Sequence, residues 1–395
     1  MKKISWRTLS VIVVIVVALV YVFPTFKPTL WPHKQINLGL DLQGGMHLVL
    51  EVETDKAVLN RIERIGQDLR RQMKTDRIKY NGVDLTENSR LTVKLKSPED
   101  RIKFDAMLDK EFRDLRINSG DDDLTALLDL PDQESDAIKQ MAVDQALETI
   151  RNRIDQFGVS EPDIRRQGEK RILIQLPGIS DTQRAKDLIG KTAQLEFKLL
   201  DETHDLNAAL KGRVPPGSQI LYQVEEDPET NRQKKTPYLV KKRTLLTGAR
   251  LKDARVQIDS RYNEPNVSIE FDRKGGRIFE KITEENVNKR LAIVLDDKVY
   301  SAPVIQEKIS GGQARITGRF SAEEARDLAI ILRAGALPAP VKILEERTVG
   351  PSLGADSIRL GMLSIIVGGS LVILFMIIYY NLAGVIADIA LLVNI

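Results

Sequence analysis

The chain contains no cysteine, which excludes disulfides, thiolate zinc sites and cysteine nucleophiles together. Histidine is almost as scarce. His33, His47 and His204 are scattered without ligand spacing, so no metal is expected. A surplus of either charge is also missing: 59 Lys and Arg stand against 56 Asp and Glu, leaving +3, too even a balance for the basic field of a nucleic-acid binder. From residue 34 to residue 358 no stretch supplies the roughly 20 apolar residues that a bilayer crossing needs. What is present is 42% apolar and 29% charged residues in a chain of 395, enough for at least one real core and about two or three domains.

Apolar runs sit at the two ends. Lys2, Lys3 and Arg7 precede a run over residues 9–23 that is almost entirely Val, Ile, Leu and Ala. A cleaved signal peptide is the competing reading, but the run ends in Val22-Phe23-Pro24 with no small-x-small cleavage site, which favours an uncleaved anchor. The expected segments are a cytoplasmic N-terminus at 1–8 and a first transmembrane helix at 9–26, oriented by the positive-inside rule. A second span is expected at 360–380, where Gly361, Gly368, Gly369 and Ser370 would suit close helix packing. A third apolar run begins at 382 and continues to 395. Either it lies shallowly in the membrane or the chain is a piece of a longer membrane protein, and the second reading is favoured because carbonyls stopped in mid-bilayer lack partners. Asp388 lies about six residues into this run, roughly 9 Å along a helix. It is the intramembrane polar candidate, with pairing to a neighbouring helix or headgroup preferred over a proton role.

Between the spans the pattern alternates strands and helices. Residues 46–52 read as a strand, 57–73 as an amphipathic helix, and Ser97-Pro98 as an N-cap followed by proline at the first helical position. Residues 136–157 read as a long helix closed by Gly158, and 163–167 with 171–176 as a hairpin. This is an α+β arrangement of the split βαβ kind. Residues 201–247 read as loop with one short hairpin, and a second αβ unit follows, ending in a helix opened by the capping box Ser321-Ala322-Glu323-Glu324. The expected organisation is a base domain at 34–200 plus 341–355 with a head inserted at 201–333. A hinge at 334–340 carries Gly335, Pro338 and Pro340; a rigid bend within one body is the alternative.

Four motifs are similar to the SecD family: Gly39-Leu40-Asp41-Leu42-Gln43-Gly44-Gly45; Arg151-Asn152-Arg153-Ile154-Asp155-Gln156-Phe157-Gly158-Val159-Ser160-Glu161-Pro162; Leu332 through Pro340; and Val349-Gly350-Pro351-Ser352-Leu353-Gly354. No family motif falls in residues 78–131. The resemblance implies a ferredoxin-like base with an αβ head, lying outside the cytoplasmic membrane between α-helical transmembrane spans. It implies an auxiliary subunit of bacterial protein export that captures unfolded preprotein and draws it outward with the proton motive force. The implied partners are SecF, the SecYEG channel and SecA, with YajC and YidC as further candidates, besides preprotein and lipid. It also implies six spans with the proton-carrying carboxylate in the fourth, whereas residues 382–395 reach only the third.

Read as chemistry, the same motifs offer little. Gly39, Asp41, Gly44 and Gly45 are followed by no Lys-Ser or Lys-Thr, which argues against a phosphate loop and for a turn into the first strand. Arg151, Arg153 and Asp155 carry charge, yet they are read as a solvated helix end with no nucleophile beside them. No cofactor and no enzymatic activity are expected; a passive membrane-tethered adaptor or an enzyme remains the alternative function.

Overall fold

The computed structural model describes Trp6, Leu40 and residues 44–86, 90–119, 122–159, 161–226, 233–259, 264–318, 320–349 and 351–394. The expected span at 9–26, apart from the isolated Trp6 before it, lies outside these residues, as do Gly39, Asp41, Gln43 and Gly350.

The chain enters its first sheet through β1 (Gly45–Val52), which buries Met46, Leu48, Leu50 and Val52 on one face. Gly45 sits at φ +134°, where a Cβ would stand 2.2 Å from the Leu176 carbonyl oxygen. Only glycine allows that approach. Then come α1 (Thr54–Thr75), β2 (Tyr80–Thr86), β3 (Arg90–Leu95), α2 (Pro98–Glu111), β4 (Arg116–Ser119) and β5 (Thr125–Asp129). The four strands pair in the order β2-β3-β5-β4, and with the helices they enclose Leu69, Met73, Val93, Phe104, Leu108 and Leu128. Ser97 accepts the Asp100 amide and Pro98 opens α2, as the sequence predicts.

Next follow α3 (Asp132–Phe157), closed by Gly158 in the left-handed region, β6 (Asp163–Gln167), β7 (Arg171–Pro177) and α4 (Thr182–Gly190). Strand Val341–Val349, from far along the chain, pairs antiparallel with β1, which pairs with β7 and β7 with β6. With α3 and α4 this is the ferredoxin-like connectivity, interrupted once between β1 and α3 and again between α4 and the last strand.

The second insert holds β8 (Leu195–Leu200), α5 (Leu206–Leu210), β9 (Ser218–Glu226), β10 (Gln233–Thr247), β11 (Leu251–Ile258), β12 (Pro265–Phe271), α6 (Arg273–Glu285), β13 (Leu291–Leu295), β14 (Lys298–Ser301), β15 (Gln313–Ile316) and α7 (Ala322–Ala334). Strands β10-β8-β13-β14-β9 close a barrel, beside the sheet β11-β12-β15. β13 is buried on both faces, hence its unbroken apolar run. Leu291, Ile293 and Leu295 meet Phe197, Phe271 and Phe279, while Ala292 and Val294 meet Leu221, Val240 and Val299 inside the barrel.

Two sequence expectations are corrected here. Residues 195–200, assigned to the base, form a barrel stave between β10 and β13. Residues 201–247, read as mostly loop, hold the longest hairpin of the insert. Lys235, Lys241, Lys242 and Arg243 are exposed, and few apolar residues of β10 are buried, among them Leu239, Val240 and Leu246. That mixture hides strand periodicity.

The chain closes with β16 (Val341–Val349), α8 (Pro351–Tyr380) and α9 (Leu382–Asn394). Residues Arg359–Tyr380 form a 22-residue segment, long and apolar enough to cross a bilayer. Among the described residues no other helix reaches that length and apolarity, and Leu382–Leu391 is a shorter apolar helix.

Candidate functional site

Two crossings join the base to the second insert: residues 191–194, leaving α4 for β8, and residues 335–340, returning from α7 to β16. Both are held at Arg153. Sequence reasoning puts this residue on a solvated helix end, but it is fully buried. Its Nη1 donates to the carbonyls of Leu188 at 2.8 Å, Ile189 at 3.2 Å and Lys191, and its Nη2 to Gly335 at 3.0 Å. The acceptors on α4 are the unpaired carbonyls at a helix C-terminus, where the macrodipole also favours a cation. Burial pulls the Arg153 guanidinium down to about 10, opposed by the charge of Asp296, so it stays charged at neutral pH.

Asp296 grips the same crossing from the head. It sits in the β13–β14 turn at φ +50°. Its carboxylate accepts from Thr192 Oγ1 at 2.5 Å, the Ala193 amide at 3.0 Å and the Gln194 amide at 2.9 Å. The outgoing crossing is thus held by its carbonyls on one side and by its amides on the other. The two crossings also bond to each other, Leu337 N–H to the Thr192 carbonyl at 2.8 Å. Gly335 lies at φ +92°, a conformation that needs glycine; Pro338 is half-buried and Pro340 offers its carbonyl to the Glu53 amide.

Away from the crossings, Arg184 of α4 reaches α7. It donates to Asp327 over 2.6–3.1 Å, pairs with Glu323 and lies 5.2 Å above the Phe157 ring. Asp327 also borders a groove of about 130 Å³ with Lys191, Tyr300 and Phe320.

A larger groove, about 470 Å³, opens on the barrel wall between Ile220, Leu221, Tyr222, Val224, Lys235, Asp297 and Lys298. Here β14 meets β9 at one residue pair, Lys298 with Tyr222. At this seam the Gln223 side chain also donates to the Tyr300 carbonyl, and apolar side chains and two cations line the groove.

The remaining sequence candidates stand apart from these features. Gly44 and Gly45 shape the entry to β1, Arg151 donates to the Ile164 carbonyl at 3.1 Å, and Glu161 turns at φ +47°. Pro351 and Gly354 lie in the first turn of α8. Asp388 on α9 is 5% exposed, with neither carboxylate oxygen hydrogen-bonded. One grouping resembles a hydrolase triad in composition only: Ser218 donates to Asp201 at 2.5 Å and His204 Nδ1 lies 2.9 Å from the same carboxylate. The serine faces the acid rather than the imidazole, so no base activates it. Among the described residues no cluster has metal-binding spacing.

Three family models match the chain: the SecD/SecF GG motif at residues 29–56, the N-terminal part of the P1 domain of protein translocase subunit SecDF at 143–202, and the SecDF P1 head subdomain at 218–339. The second covers the later half of α3 with Arg153, and α4; the third runs from the seam groove to the returning crossing. Protein translocase subunit SecD of Syntrophobacter fumaroxidans is 51% identical, over 100% of this chain and 76% of its own. That of Calditerrivibrio nitroreducens is 50% identical over 99% and 75%, and that of Rickettsia prowazekii 36% over 98% and 74%. A crystal structure of SecDF in a super-membrane-facing form is 31% identical over 98% of this chain and 41% of its own, with a TM-score of 0.47. A second SecDF structure, described as a membrane component that enhances protein export, is 40% identical over 53% and 93%, TM-score 0.41. The chain thus spans about three quarters of the curated relatives and 41% of that first solved chain.

Proposed function

The chain belongs to the SecD family of protein-translocase subunits, and we propose that within the Sec export complex its head captures unfolded preprotein and swings on the two crossings to draw it outward. The observation that carries this reading is the barrel seam. An emerging unfolded chain offers extended backbone and apolar side chains, and the groove at β9 and β14 sets apolar side chains beside two lysines where the strands meet at a single residue pair. A head tied to its base by two crossings, one passing through a left-handed glycine, suits a body that moves as a unit.

The proposal extends to the membrane. α8 would cross the bilayer, with the base and head on the extracytoplasmic face and further spans on either side of them making the chain multi-pass. SecF would share the work, the proton motive force would drive it, and SecYEG with SecA would deliver the preprotein; YajC and YidC are further neighbours in the same assembly. Asp388, buried and without a hydrogen-bond partner in α9, is a candidate polar contact between spans.

The test is site-specific photocrosslinking in membranes that contain SecF and SecYEG, with a translocation-arrested preprotein. A probe at Tyr222 is expected to capture the preprotein, while a probe at Lys103, exposed on α2, is expected to capture none. Equal capture, or none at Tyr222, would remove the seam from the function.

A further inference from the structure

Resting on the reading that the head swings, we propose that the joint has two parts with different duties: Arg153 and Asp296 form a pivot that stays closed through the motion, and Arg184 with Asp327 and Glu323 forms an ionic latch that releases. The division follows from what each group touches and from how much water reaches it.

Arg153 bonds to the backbone of both crossings, at Lys191 and at Gly335. Rotation of the head about those crossings leaves these bonds near the axis. Releasing them would strand a fully buried guanidinium and the carbonyls at the end of α4, the costly way to break a buried charge. Asp296 is bound in the same sense, by two amides and a hydroxyl of the outgoing crossing.

Arg184 differs on both counts. It joins helix to helix, away from the crossings, and its side chain is 23% exposed, with Asp327 at 17% and Glu323 at 63%. Water can replace its bonds as they part, so opening leaves no buried charge unpaired. Among the described residues these are the ion pairs that pass from base to head outside the crossings. Beside them stands one long contact, Arg333 to Gln156 at 3.5 Å.

The absence of cysteine gives a direct test. The full chain in lipid nanodiscs, carrying Met141→Cys on the base and Val304→Cys on the head, both exposed, receives spin labels for distance measurement by double electron–electron resonance. The unsubstituted joint is expected to give one narrow distance. Arg184→Gln and Asp327→Asn, each made alone, should add a second distance and raise the displaced-to-docked ratio about fivefold. The exchanged pair R184D/D327R should return the distribution towards the first. Arg153→Lys, which keeps the charge but does not span the carbonyls of both crossings, should broaden the distance continuously without a second peak. P338G/P340G, which loosens the returning crossing, separates two failures. If it widens the distribution while Arg184→Gln and Asp327→Asn do not, the swinging head stands and the latch is wrong. If it too leaves one narrow distance, the swinging head itself is wrong. An exchanged pair as displaced as the single variants would show that charge pairing is not what holds α4 to α7, and a second peak from Arg153→Lys would overturn the division of duties.

Discussion

The unit at residues 54–130 and the unit at residues 195–334 interrupt the same base, and both touch it through apolar side chains, but only the second is also gripped by buried polar groups at its crossings. The first is joined by apolar contact. On α1, Ala57 belongs to the base core and its neighbour Val58 to the inserted core, and Ile138 of α3 packs against both. Its ion pairs at Asp55, with Lys139 and Lys170, lie on a side chain that is 76% exposed and add little. The head shares apolar contact too, with Leu188 of α4 inside the head core and Phe157 of α3 packed against the cores of both base and head, but it adds buried polar groups aimed at backbone, Arg153 and Asp296 above all. Apolar contact is non-directional and spreads over a surface, so it resists displacement everywhere at once. Hydrogen bonds to a crossing hold the crossing itself, close to any axis about which the body beyond it would turn. On the proposed swing, the first unit would stay a fixed part of the base and the second would turn, parting its smaller apolar contact as it does so.

The strongest way to break that comparison is to empty one core and watch the other unit. Phe104, fully buried between α2 and the four-stranded sheet, should cost about 4 kcal/mol as Phe104→Ala. Hydrogen exchange should then speed in β2–β5 and in the adjoining turns of α1, while β13 keeps its protection. Equal loss in β13 would mean that the two inserts and the base unfold as one and that the contrast is not energetic. The next effect is Arg153→Met, which leaves the carbonyls of both crossings without their donor. A loss of about 3 kcal/mol is expected, with faster exchange confined to residues 188–194 and 335–340. Loss spread through the α1–α3 contact would show that the polar joint and the apolar seam are one structure.

How much of this was legible in the sequence divides along the same line. Local signals were readable: Ser97 with Pro98, the Ser321–Glu324 box and the Gly158 cap all stand where the pattern put them. So was the α+β base with a head inserted before its last strand, because glycine at 44–45 and the β6–β7 turn carry the geometry in a few consecutive residues; the separate sheet and core of residues 80–130, which the sequence reading left inside the base, were not. Arg153 was not readable. Its side chain type is normally solvated, and the carbonyls that bury it lie from 35 to 182 residues away in the chain. Backbone acceptors leave no trace in residue identity. Asp296 was missed for the same reason, and the barrel was missed because a stave with exposed lysines and few buried apolar side chains shows neither alternation nor a continuous run. The one usable hint was the pair Asp296-Asp297, both at positive φ, a conformation that aspartate tolerates in turns.

The smallest expected effect compares two carboxylates, one in each insert, through acid. Asp201, just past β8 in the head, is held well below the usual carboxylate range by the Ser218 hydroxyl and then Thr203; burial opposes them and His204 assists. Asp100, in the first unit, is lowered by the Lys79 amide and then by the Ser97 hydroxyl. For both, the folded pKa lies below the unfolded one. The stability each supplies is therefore complete above about pH 4, the unfolded range, and fades as pH falls through that range towards the folded value. Asp201→Asn should cost about 1 kcal/mol at neutral pH, since the buried amide keeps one acceptor oxygen for the Ser218 and Thr203 hydroxyls but loses the charge. Below pH 4 it should flatten the acid-induced rise in exchange at β8–β10 while leaving that at β2–β5 unchanged. If the substitution instead altered the acid response of both inserts, protonation in the head would be felt across the joint, and the polar fastening would transmit stability as well as position.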